Sequence, residues 1–256
     1  MQLQLLSQLL KGITVLVTGS NRGVGHAIAI LATQHGARVI CHGRTKTVAL
    51  ESLLAQVQTC CPAAFSVTGD LTQSADCIAI RSQVEALTDT LQGIVCNASG
   101  FAKPGPLTRA TWSDIATEYE AVLSPVTNPV QVFLPLLTQS NPAVIVCLAA
   151  TLPQRPVPGH TVHALAKGAV QTYVRQAARE FGPLGIRVIG ISPGVVTTDW
   201  AVAQGDTWLE TIAVRTPLGR VASPEDVAGA VVMALSPLSR FVTGVDIPAD
   251  GGAWLS

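Results

Sequence analysis

Two basic side chains on one predicted helix are well placed to do chemistry. His163 and Lys167 bracket the sequence HALAK, and a spacing of four residues places both side chains on the same face of a helix. An imidazole can exchange a proton near neutral pH. The neighbouring ammonium disfavours the charged imidazole, so we expect His163 to be neutral near pH 7. The pair is a candidate for proton exchange with one bound ligand, and His160, more typical of a loop histidine, could also reach that cleft.

A glycine-rich turn near the amino terminus is a candidate anion site. A β-branched run at residues 13–18 leads directly into the turn, and a helical pattern begins near Val24. Glycines permit positive φ and let backbone N–H groups approach a pyrophosphate, which the amino terminus of a helix also favours. In this strand–turn–helix context the residues predict dinucleotide binding. The binding residues would be Gly19, Ser20, Asn21, Arg22, Gly23, Val24 and Gly25.

The residues after the second predicted strand bear on which dinucleotide is bound. A cofactor with a free 2′-hydroxyl usually meets an Asp or Glu at this position, whereas residues 42–46 read HGRTK and contain no carboxylate. Arg44 and Arg22, with Lys46 as a further candidate, can hold a 2′-phosphate through charge-assisted hydrogen bonds. The sequence therefore predicts NADP(H) in preference to NAD(H). The alternative for Arg44 is a solvated loop charge.

An alternation of short β-branched runs with longer helical patterns must position these residues. The alternation is typical of a parallel sheet covered by helices on both faces. The strand-like runs cover residues 13–18, 38–42, 64–68, 93–97, 143–148, 187–191 and 241–247, and the helical patterns lie near 24–35, 47–58, 74–91, 111–138, 161–181 and 225–235. Because no linker divides the chain, residues 1–256 are predicted to form one α/β domain with a doubly wound sheet.

This rhythm is interrupted by the segment at residues 193–223. It places about 30 residues between the sixth strand and the next helix, longer than an ordinary loop. We expect a substrate lid near residues 198–222. Trp200 and Trp208 could form an apolar inner face of that lid, with core packing as the alternative. An apolar lid would indicate a bulky or hydrophobic ligand.

The balance of charge limits the partners of this protein. The chain has 16 Lys and Arg against 16 Asp and Glu, and only 12% of its residues are charged, compared with about 25% in a typical soluble domain. Without a basic excess, nucleic acid and membrane surfaces are not expected as partners. A small-molecule substrate is the better expectation. So uncharged a surface also predicts association into a homodimer or homotetramer.

The cysteines and the amino terminus indicate a location. The six cysteines include no CxxC pair, so neither a metal site nor a redox site is predicted. Residues 1–10 read as an amphipathic lead-in and lack the basic region and the cleavage site of a secretory signal. We therefore expect a reducing, cytoplasmic location.

Several motifs together resemble one known family. The pattern TGxxxGxG at residues 18–25 resembles the cofactor fingerprint of the short-chain dehydrogenase/reductase family, and further matches follow in the same order. Asp70, followed by Leu71, resembles the family's acidic residue near the adenine, and Asn97 with ASG at residues 98–100 resembles the family's Asn-Asn-Ala-Gly strand end. The matches in the last quarter of the chain are PLGR at 217–220, PEDVA at 224–228, TG at 243–244 and DGG at 250–252.

The resemblance implies an architecture and a cofactor site. The family fold is a seven-stranded parallel sheet in the order 3-2-1-4-5-6-7, with ligands at the carboxyl ends of the strands. The resemblance places Pro193, Gly194 and Thr198 along the nicotinamide, and Lys167 on the nicotinamide ribose. Ser192 precedes this Pro-Gly segment.

The catalytic positions depart from the family pattern. Where the family has Tyr-x-x-x-Lys this chain has His163 in place of the tyrosine, and Ala150 stands at the position of the family's serine. Thr151 could replace that serine if the alignment shifts by one residue. The family's helix Asn should lie near 120–122, where the chain reads EAV, and Asn128 is expected a turn deeper.

Three functions are consistent with these residues. The leading hypothesis is an NADP(H)-dependent carbonyl reductase or alcohol dehydrogenase in which His163 and Lys167 handle the proton. The second is a lyase, isomerase or cyclase that uses the same cleft, with His163, His160 and Thr151 polarising the substrate. The third is a non-catalytic protein that binds NADP(H), in which His163 is a remnant.

Overall fold

Seven parallel strands form a single sheet in the computed structural model, which describes residues 8–100 and 104–255. Their spatial order is 3-2-1-4-5-6-7, as predicted. The first seven residues of the expected lead-in lie outside the described residues. The strands are β1 Thr14–Val17, β2 Arg38–Gly43, β3 Phe65–Thr68, β4 Gly93–Cys96, β5 Ala143–Leu148, β6 Ile186–Pro193 and β7 Asp246–Ala249. Strands β4 and β5, at the centre of the sheet, are apolar along their whole length because helices cover both of their faces.

Two groups of helices cover the faces of the sheet. The helices are α1 Gly23–Gln34, α2 Val48–Cys60, α3 Ser74–Glu85, α4 Trp112–Gln139, α5 Thr161–Phe181, α6 Asp199–Val202, α7 Asp206–Arg215 and α8 Pro224–Leu235. One face buries α1, α2 and α8 against the strands, and the opposite face buries α3, α4 and α5. Since every crossover runs from one parallel strand to the next, the carboxyl ends of the strands meet at one edge.

Helix α4 lies on the face of the sheet that also buries α3 and α5, and it carries a residue of the candidate active site. Among the described residues it is the one helix long and apolar enough to cross a membrane. Its apolar stripe is buried in the core of this domain, however, and includes Val122, Val126, Val130 and Phe133. The amino terminus of α4 is closed by a capping box, in which Thr111 accepts from the backbone N–H of Asp114 and the Asp114 carboxylate accepts from the backbone of Thr111. Helix α4 is therefore a core helix packed against α5.

Two predicted element boundaries were wrong. The last strand begins at Asp246 and not at 241, because Gly244 has a φ of 70° and the N–H of Val188 donates to the hydroxyl of Thr243 and not to a backbone carbonyl. Phe241 is fully exposed. The third helix ends at Glu85 and not at 91, and the long segment at 193–223 contains the short helices α6 and α7.

Candidate active site

The glycine turn between β1 and α1 is shaped for a close ligand. Gly19 and Gly23 have φ values of 61° and 55°, a region in which a side chain is strained. Gly25 is required for a different reason, because a Cβ atom there would lie 2.3 Å from the carbonyl oxygen of Gly19 and 2.5 Å from Nδ2 of Asn97. The turn therefore keeps its backbone open where α1 begins, as an anion site needs.

Asn97 fixes the turn from the next strand. Its side-chain amide donates to the carbonyl oxygens of Thr18 at 2.9 Å and Gly19 at 3.1 Å. In return, the hydroxyl of Thr18 accepts from the backbone N–H groups of Asn97 and Ala98, both at 2.9 Å. The side chain of Asn97, a predicted cofactor residue, therefore holds the turn by the backbone carbonyl groups of the turn.

His42 is a buried residue of this region that the sequence interpretation did not single out. Its Nδ1 accepts from the N–H of Gly19 at 3.2 Å, and its Nε2 lies 3.0 Å from the carbonyl oxygen of Gly69. A carbonyl can only accept, so Nε2 carries the proton and the ring is neutral. Burial lowers the pKa of His42 against the opposing influence of the Gly69 carbonyl and of Asp70. The ring joins the turns after β1 and β3. In the sequence, its position at the end of a predicted strand was the feature from which a role for His42 could have been predicted.

Arg44 and Asp70 meet above the ends of β2 and β3. Nε and Nη2 of Arg44 donate to the same carboxylate oxygen of Asp70, at 2.9 and 2.6 Å. The other oxygen of Asp70 accepts from the backbone and the hydroxyl of Thr72. Arg44 is nevertheless 72% exposed along its side chain, so its guanidinium remains accessible to an anion.

Leu71 and Asn128 belong to the wall behind this pair. Leu71 is buried, and the amide of Asn128 donates to the carbonyl oxygens of Leu71 at 2.9 Å and Thr72 at 3.2 Å. Asn128 therefore supports the segment after β3.

A cavity of about 710 Å³ is lined by the glycine turn and by the Arg44–Asp70 pair. Its volume lies within the range of about 300–1,000 Å³ that is usual for small-molecule sites. Its lining includes most of the predicted cofactor residues, and Ser20 is buried beneath the turn, bonded to the backbone of His42. The lining residues relevant to the prediction are Gly19, Asn21, Arg22, Gly23, Val24, Gly25, Arg44, Asp70, Leu71, Asn97 and Thr198.

The carboxyl end of β5 and helix α5 carry the proton-transfer candidates. His163 and Lys167 lie one turn apart, and both are buried. Nδ1 of His163 lies 2.5 Å from Oε1 of Glu118 on α4, and these residues are 7% and 4% exposed. The ammonium of Lys167 donates to the carbonyl oxygen of Leu148 at 2.9 Å. The structure thus brings a carboxylate, an imidazole and an ammonium together between two helices.

Opposing influences act on the charges of this group. Burial lowers the pKa of His163, as does the nearby Lys167, while the hydrogen bond and the charge of Glu118 act to raise it. Burial likewise lowers the pKa of Lys167 to about 8, against the charge of Glu118. The imidazole is therefore neutral at neutral pH, and the carboxylate beside it stabilises the imidazolium whenever a proton arrives.

Glu118 is the functional candidate that the sequence interpretation missed. It precedes Val122 by four residues and Val126 by eight, and so belongs to the buried stripe of α4. A carboxylate on an otherwise apolar stripe was the available signal, since Glu is almost never fully buried unless it is paired. The prediction at residues 120–122 concerned an Asn, and position 118 lay outside that range.

A proline explains how α4 docks beside the end of β4. Pro125 has no N–H, so the carbonyl of Ala121 loses its usual helical donor. That oxygen accepts instead from the N–H of Gly100, at 2.7 Å. A Cβ atom at Gly100 would lie 2.5 Å from the Cβ of Ala121. The contact fixes the segment after β4 against the helix that carries Glu118.

Thr151 and the Pro193-Gly194 segment lie side by side. The backbone N–H of Thr151 donates to the carbonyl oxygen of Pro193 at 3.1 Å, and its hydroxyl lies 3.4 Å from the same oxygen. Gly194 leaves space for Asp250, because a Cβ atom at Gly194 would lie 2.9 Å from that side chain. His160 immediately precedes α5 and donates from Nδ1 to the carbonyl oxygen of Pro158 at 3.1 Å.

Helices α6 and α7 occupy the segment predicted to be a lid. Trp200 and Trp208 meet edge to face, with ring centroids 5.7 Å apart and ring planes at 87°. Trp200 also lines the 710 Å³ cavity. Arg22, from the glycine turn, lies 4.0 Å from Asp199 at the start of α6, so this segment faces the glycine turn.

Comparison with known proteins places the chain among nicotinamide-dependent oxidoreductases. A family model described as enoyl-(acyl carrier protein) reductase matches residues 19–253. Human L-xylulose reductase is 31% identical over 251 residues, covering 96% of this chain and 98% of the reductase. The 2-(S)-hydroxypropyl-CoM dehydrogenase 3 of Xanthobacter autotrophicus is 30% identical over 261 residues, covering 96% and 98% of the two chains.

A solved structure is similar over nearly the whole chain. The NADPH-bound short chain oxidoreductase of Pseudomonas aeruginosa PAO1, described as containing an atypical catalytic center, is 29% identical with a TM-score of 0.87. The match covers 94% of this chain and 96% of that one. The parallel sheet, the glycine turn and these relatives together show that the chain belongs to the short-chain dehydrogenase/reductase family.

Proposed function

We propose that this protein is an NADP(H)-dependent oxidoreductase that interconverts a carbonyl and an alcohol on a small, hydrophobic metabolite. The observation that carries the proposal is the buried contact of 2.5 Å between Glu118 and His163, on the helix face that also presents Lys167. It supplies a proton-exchanging group where the family has a tyrosine. Relatives named as reductases and dehydrogenases support the redox assignment.

Each residue of this group has a distinct role in the proposal. His163 exchanges a proton with the substrate oxygen through Nε2, because Nδ1 is bonded to Glu118. Glu118 fixes the tautomer and stabilises the imidazolium, as carboxylates paired with histidines generally do. Lys167 binds the nicotinamide ribose, and Thr151 offers a hydroxyl near the substrate where Ala150 has none. When bound, the cofactor supplies the hydride chemistry at C4 of the nicotinamide.

The residues around the 710 Å³ cavity fit a dinucleotide. The glycine turn would fill with side-chain atoms if its glycines were replaced, and α1 begins directly behind it. Arg44 and Arg22 line the same cavity, and both are largely exposed. We assign the 2′-phosphate to Arg44, which Asp70 orients, with Arg22 as a second donor.

The lid, the assembly and the location complete the proposal. We assign the segment at 198–222 as the substrate lid, with the Trp200–Trp208 pair as its apolar side. Exposed apolar side chains such as Leu218, Leu238 and Phe241 support burial between subunits in a homodimer or homotetramer. The proposed location is the cytoplasm.

Fluorescence titration with NADPH and NADH tests the cofactor assignment. The loss of a charge-assisted contact predicts that Arg44→Ala weakens NADPH binding by about 10- to 100-fold and leaves NADH binding within about threefold. Lys11→Ala is the matched control, because Lys11 is an exposed cation outside the lining of the cavity. Equal affinity of the wild type for NADPH and NADH would contradict the assignment.

A panel of aldehydes, ketones and quinones tests the reaction. The proposal predicts that at least one compound accelerates NADPH oxidation by the wild type. If NADPH binds but is not consumed with any of them, the redox proposal gives way to a lyase, isomerase or cyclase, or to a binding-only role.

A further inference from the structure

A second polar cluster lies behind the candidate active site. Gln171 follows Lys167 by four residues, as Lys167 follows His163, so α5 carries three buried polar side chains on one face. Gln171 is 4% exposed. Its neighbours are Ser192 at the end of β6 and Asp246 at the start of β7. The proposed function assigns no role to this cluster.

The amide of Gln171 joins three parts of the fold. Its Nε2 donates to the carbonyl oxygen of Ala150 and to a carboxylate oxygen of Asp246, both at 2.9 Å. Its Oε1 accepts from Nε2 of Gln154 at 2.8 Å. The two donated bonds use both N–H groups of the amide, and the accepted bond occupies one of the two lone pairs of its oxygen. Helix α5, strand β7 and the loop after β5 are thereby tied to one side chain.

Ser192 connects the same cluster to the Pro193-Gly194 segment. Its hydroxyl lies 2.7 and 2.8 Å from the two oxygens of Asp246, and 3.1 Å from the carbonyl oxygen of Ala150. The next residue, Pro193, accepts the backbone N–H of Thr151 at 3.1 Å. The loop after β5 and the end of β6 are therefore linked through their backbones, and the single hydroxyl proton of Ser192, closest to Asp246, ties the end of β6 to the acceptor of Gln171.

The packing around Asp246 leaves space for its carboxylate. A Cβ atom on Gly190, its neighbour in the sheet, would lie 2.5 Å from Oδ1 of Asp246. A half-buried carboxylate such as that of Asp246 is costly unless it is hydrogen-bonded, and Ser192 and Gln171 provide those bonds. Arg175, one turn beyond Gln171, is the cation whose charge acts on Asp246.

We infer that Gln171, anchored by Asp246, is a positioning residue that fixes the Ala150 carbonyl, and with it Thr151, relative to His163 and Lys167. The inference rests on the proposed function for its catalytic consequence. The position of the loop does not depend on that function, because it follows from the bond of Gln171 to the Ala150 carbonyl and from the backbone bond between Thr151 and Pro193. In this chain the side chain of Gln171, on α5, holds the loop by the backbone carbonyl of Ala150. Ala150 itself has no hydroxyl with which to make such a bond.

Replacement of Gln171 by Leu tests the inference with two readouts. Amide hydrogen exchange in residues 149–155 should rise by about tenfold, because the loop loses its buried side-chain bonds. With a substrate from the panel, kcat should fall by about tenfold while the dissociation constant of NADPH stays within about threefold. Gln131→Leu is the matched control, since Gln131 is an exposed residue of α4.

Two further variants separate positioning from general stability. Asp246→Asn keeps an acceptor for Gln171 and should retain turnover within about threefold, whereas Asp246→Leu should reproduce the effect of Gln171→Leu. If Gln171→Leu does not fold, Gln171→Asn replaces it, because its amide is one methylene too short to reach Ala150 and Asp246 together.

The outcomes distinguish this inference from the proposed function. Unchanged exchange at 149–155 in the Gln171 variant overturns the inference, whether or not a substrate has been found. Increased exchange with unchanged kcat also overturns it, because the loop would then be held without consequence for the chemistry. Increased exchange in a protein that consumes no NADPH upholds the positioning of the loop and refutes the redox function alone.

Discussion

Replacing Glu118 by Gln would remove the negative charge beside His163 and keep a side chain of the same length. The amide oxygen of Gln can still accept from Nδ1, so the tautomer of the ring has an acceptor in the variant. The charge that stabilises an imidazolium is lost. If His163 exchanges the substrate proton, this change acts on the step in which the ring is positively charged.

The size of the effect follows from the geometry. Glu118 and His163 are 2.5 Å apart at Nδ1 and Oε1, and both are almost completely buried. A hydrogen bond to a charged group contributes about 1.5–3 kcal/mol, and each 1.4 kcal/mol corresponds to about tenfold in rate. We therefore expect kcat for carbonyl reduction to fall by about 10- to 150-fold in Glu118→Gln.

The variant should also shift the pH dependence in a defined direction. In the wild type, burial and Lys167 lower the pKa of His163, and Glu118 opposes them. Without Glu118 the pKa falls further, so less imidazolium is present at any given pH above it. Reduction needs the protonated ring, and its optimum should move to lower pH. Alcohol oxidation needs the neutral ring and should lose less activity.

Steady-state rates from pH 5 to 9, in both directions, would measure these effects. Glu120→Gln is the matched control, since Glu120 is an exposed carboxylate on the same helix, two residues away, and should leave rates and profile unchanged. A Glu118→Gln enzyme with wild-type kcat and an unshifted profile would refute the role assigned to the pair.

Two more predictions concern the glycine turn and its support. Gly25→Ala places a methyl group 2.3 Å from the Gly19 carbonyl oxygen, so NADPH affinity in the titration should fall by more than about tenfold. The control is Gly229→Ala in α8, whose methyl group would meet nothing within 4 Å and should leave NADPH affinity unchanged. Equal NADPH affinities for the two variants would contradict the close packing of the turn. Burial lowers the pKa of His42 in the folded protein, so its contribution to stability is complete above the unfolded value of about 6.5 and is lost as the pH falls through the folded pKa. The thermal midpoint should therefore drop between pH 7 and 5, and His42→Asn, which has no such proton to gain, should flatten that drop; an equally steep drop in the variant would assign it to other groups.

The sheet and its order could be predicted because their signals are local or follow a family pattern. Strands buried on both faces, such as Ala143–Leu148, are apolar throughout, and the glycine turn is recognisable within eight residues. The strand order itself came from the resemblance, since periodicity does not contain it. The last strand was misplaced because residues 241–245 have strand-like composition, but Gly244 has a φ of 70° and Thr243 meets β6 through its side chain.

The catalytic group was only half predicted, for a physical reason. His163 and Lys167 share one helix, so their spacing of four residues places them together. Glu118 reaches the same point from a helix 45 positions earlier in the chain, and only the packing of α4 against α5 joins them. The Arg44–Asp70 pair and the Gln171–Asp246 bond are likewise contacts across 26 and 75 positions.

The rate of NADPH oxidation by the wild type and by His163→Ala, with any carbonyl compound found active in the panel, measures whether His163 takes part in the reaction. If His163 supplies the proton in place of a tyrosine, the variant should bind NADPH with affinity within about threefold of the wild type and lose at least about 100-fold in kcat. Turnover by His163→Ala at the wild-type rate would remove His163 from the reaction and contradict the claim.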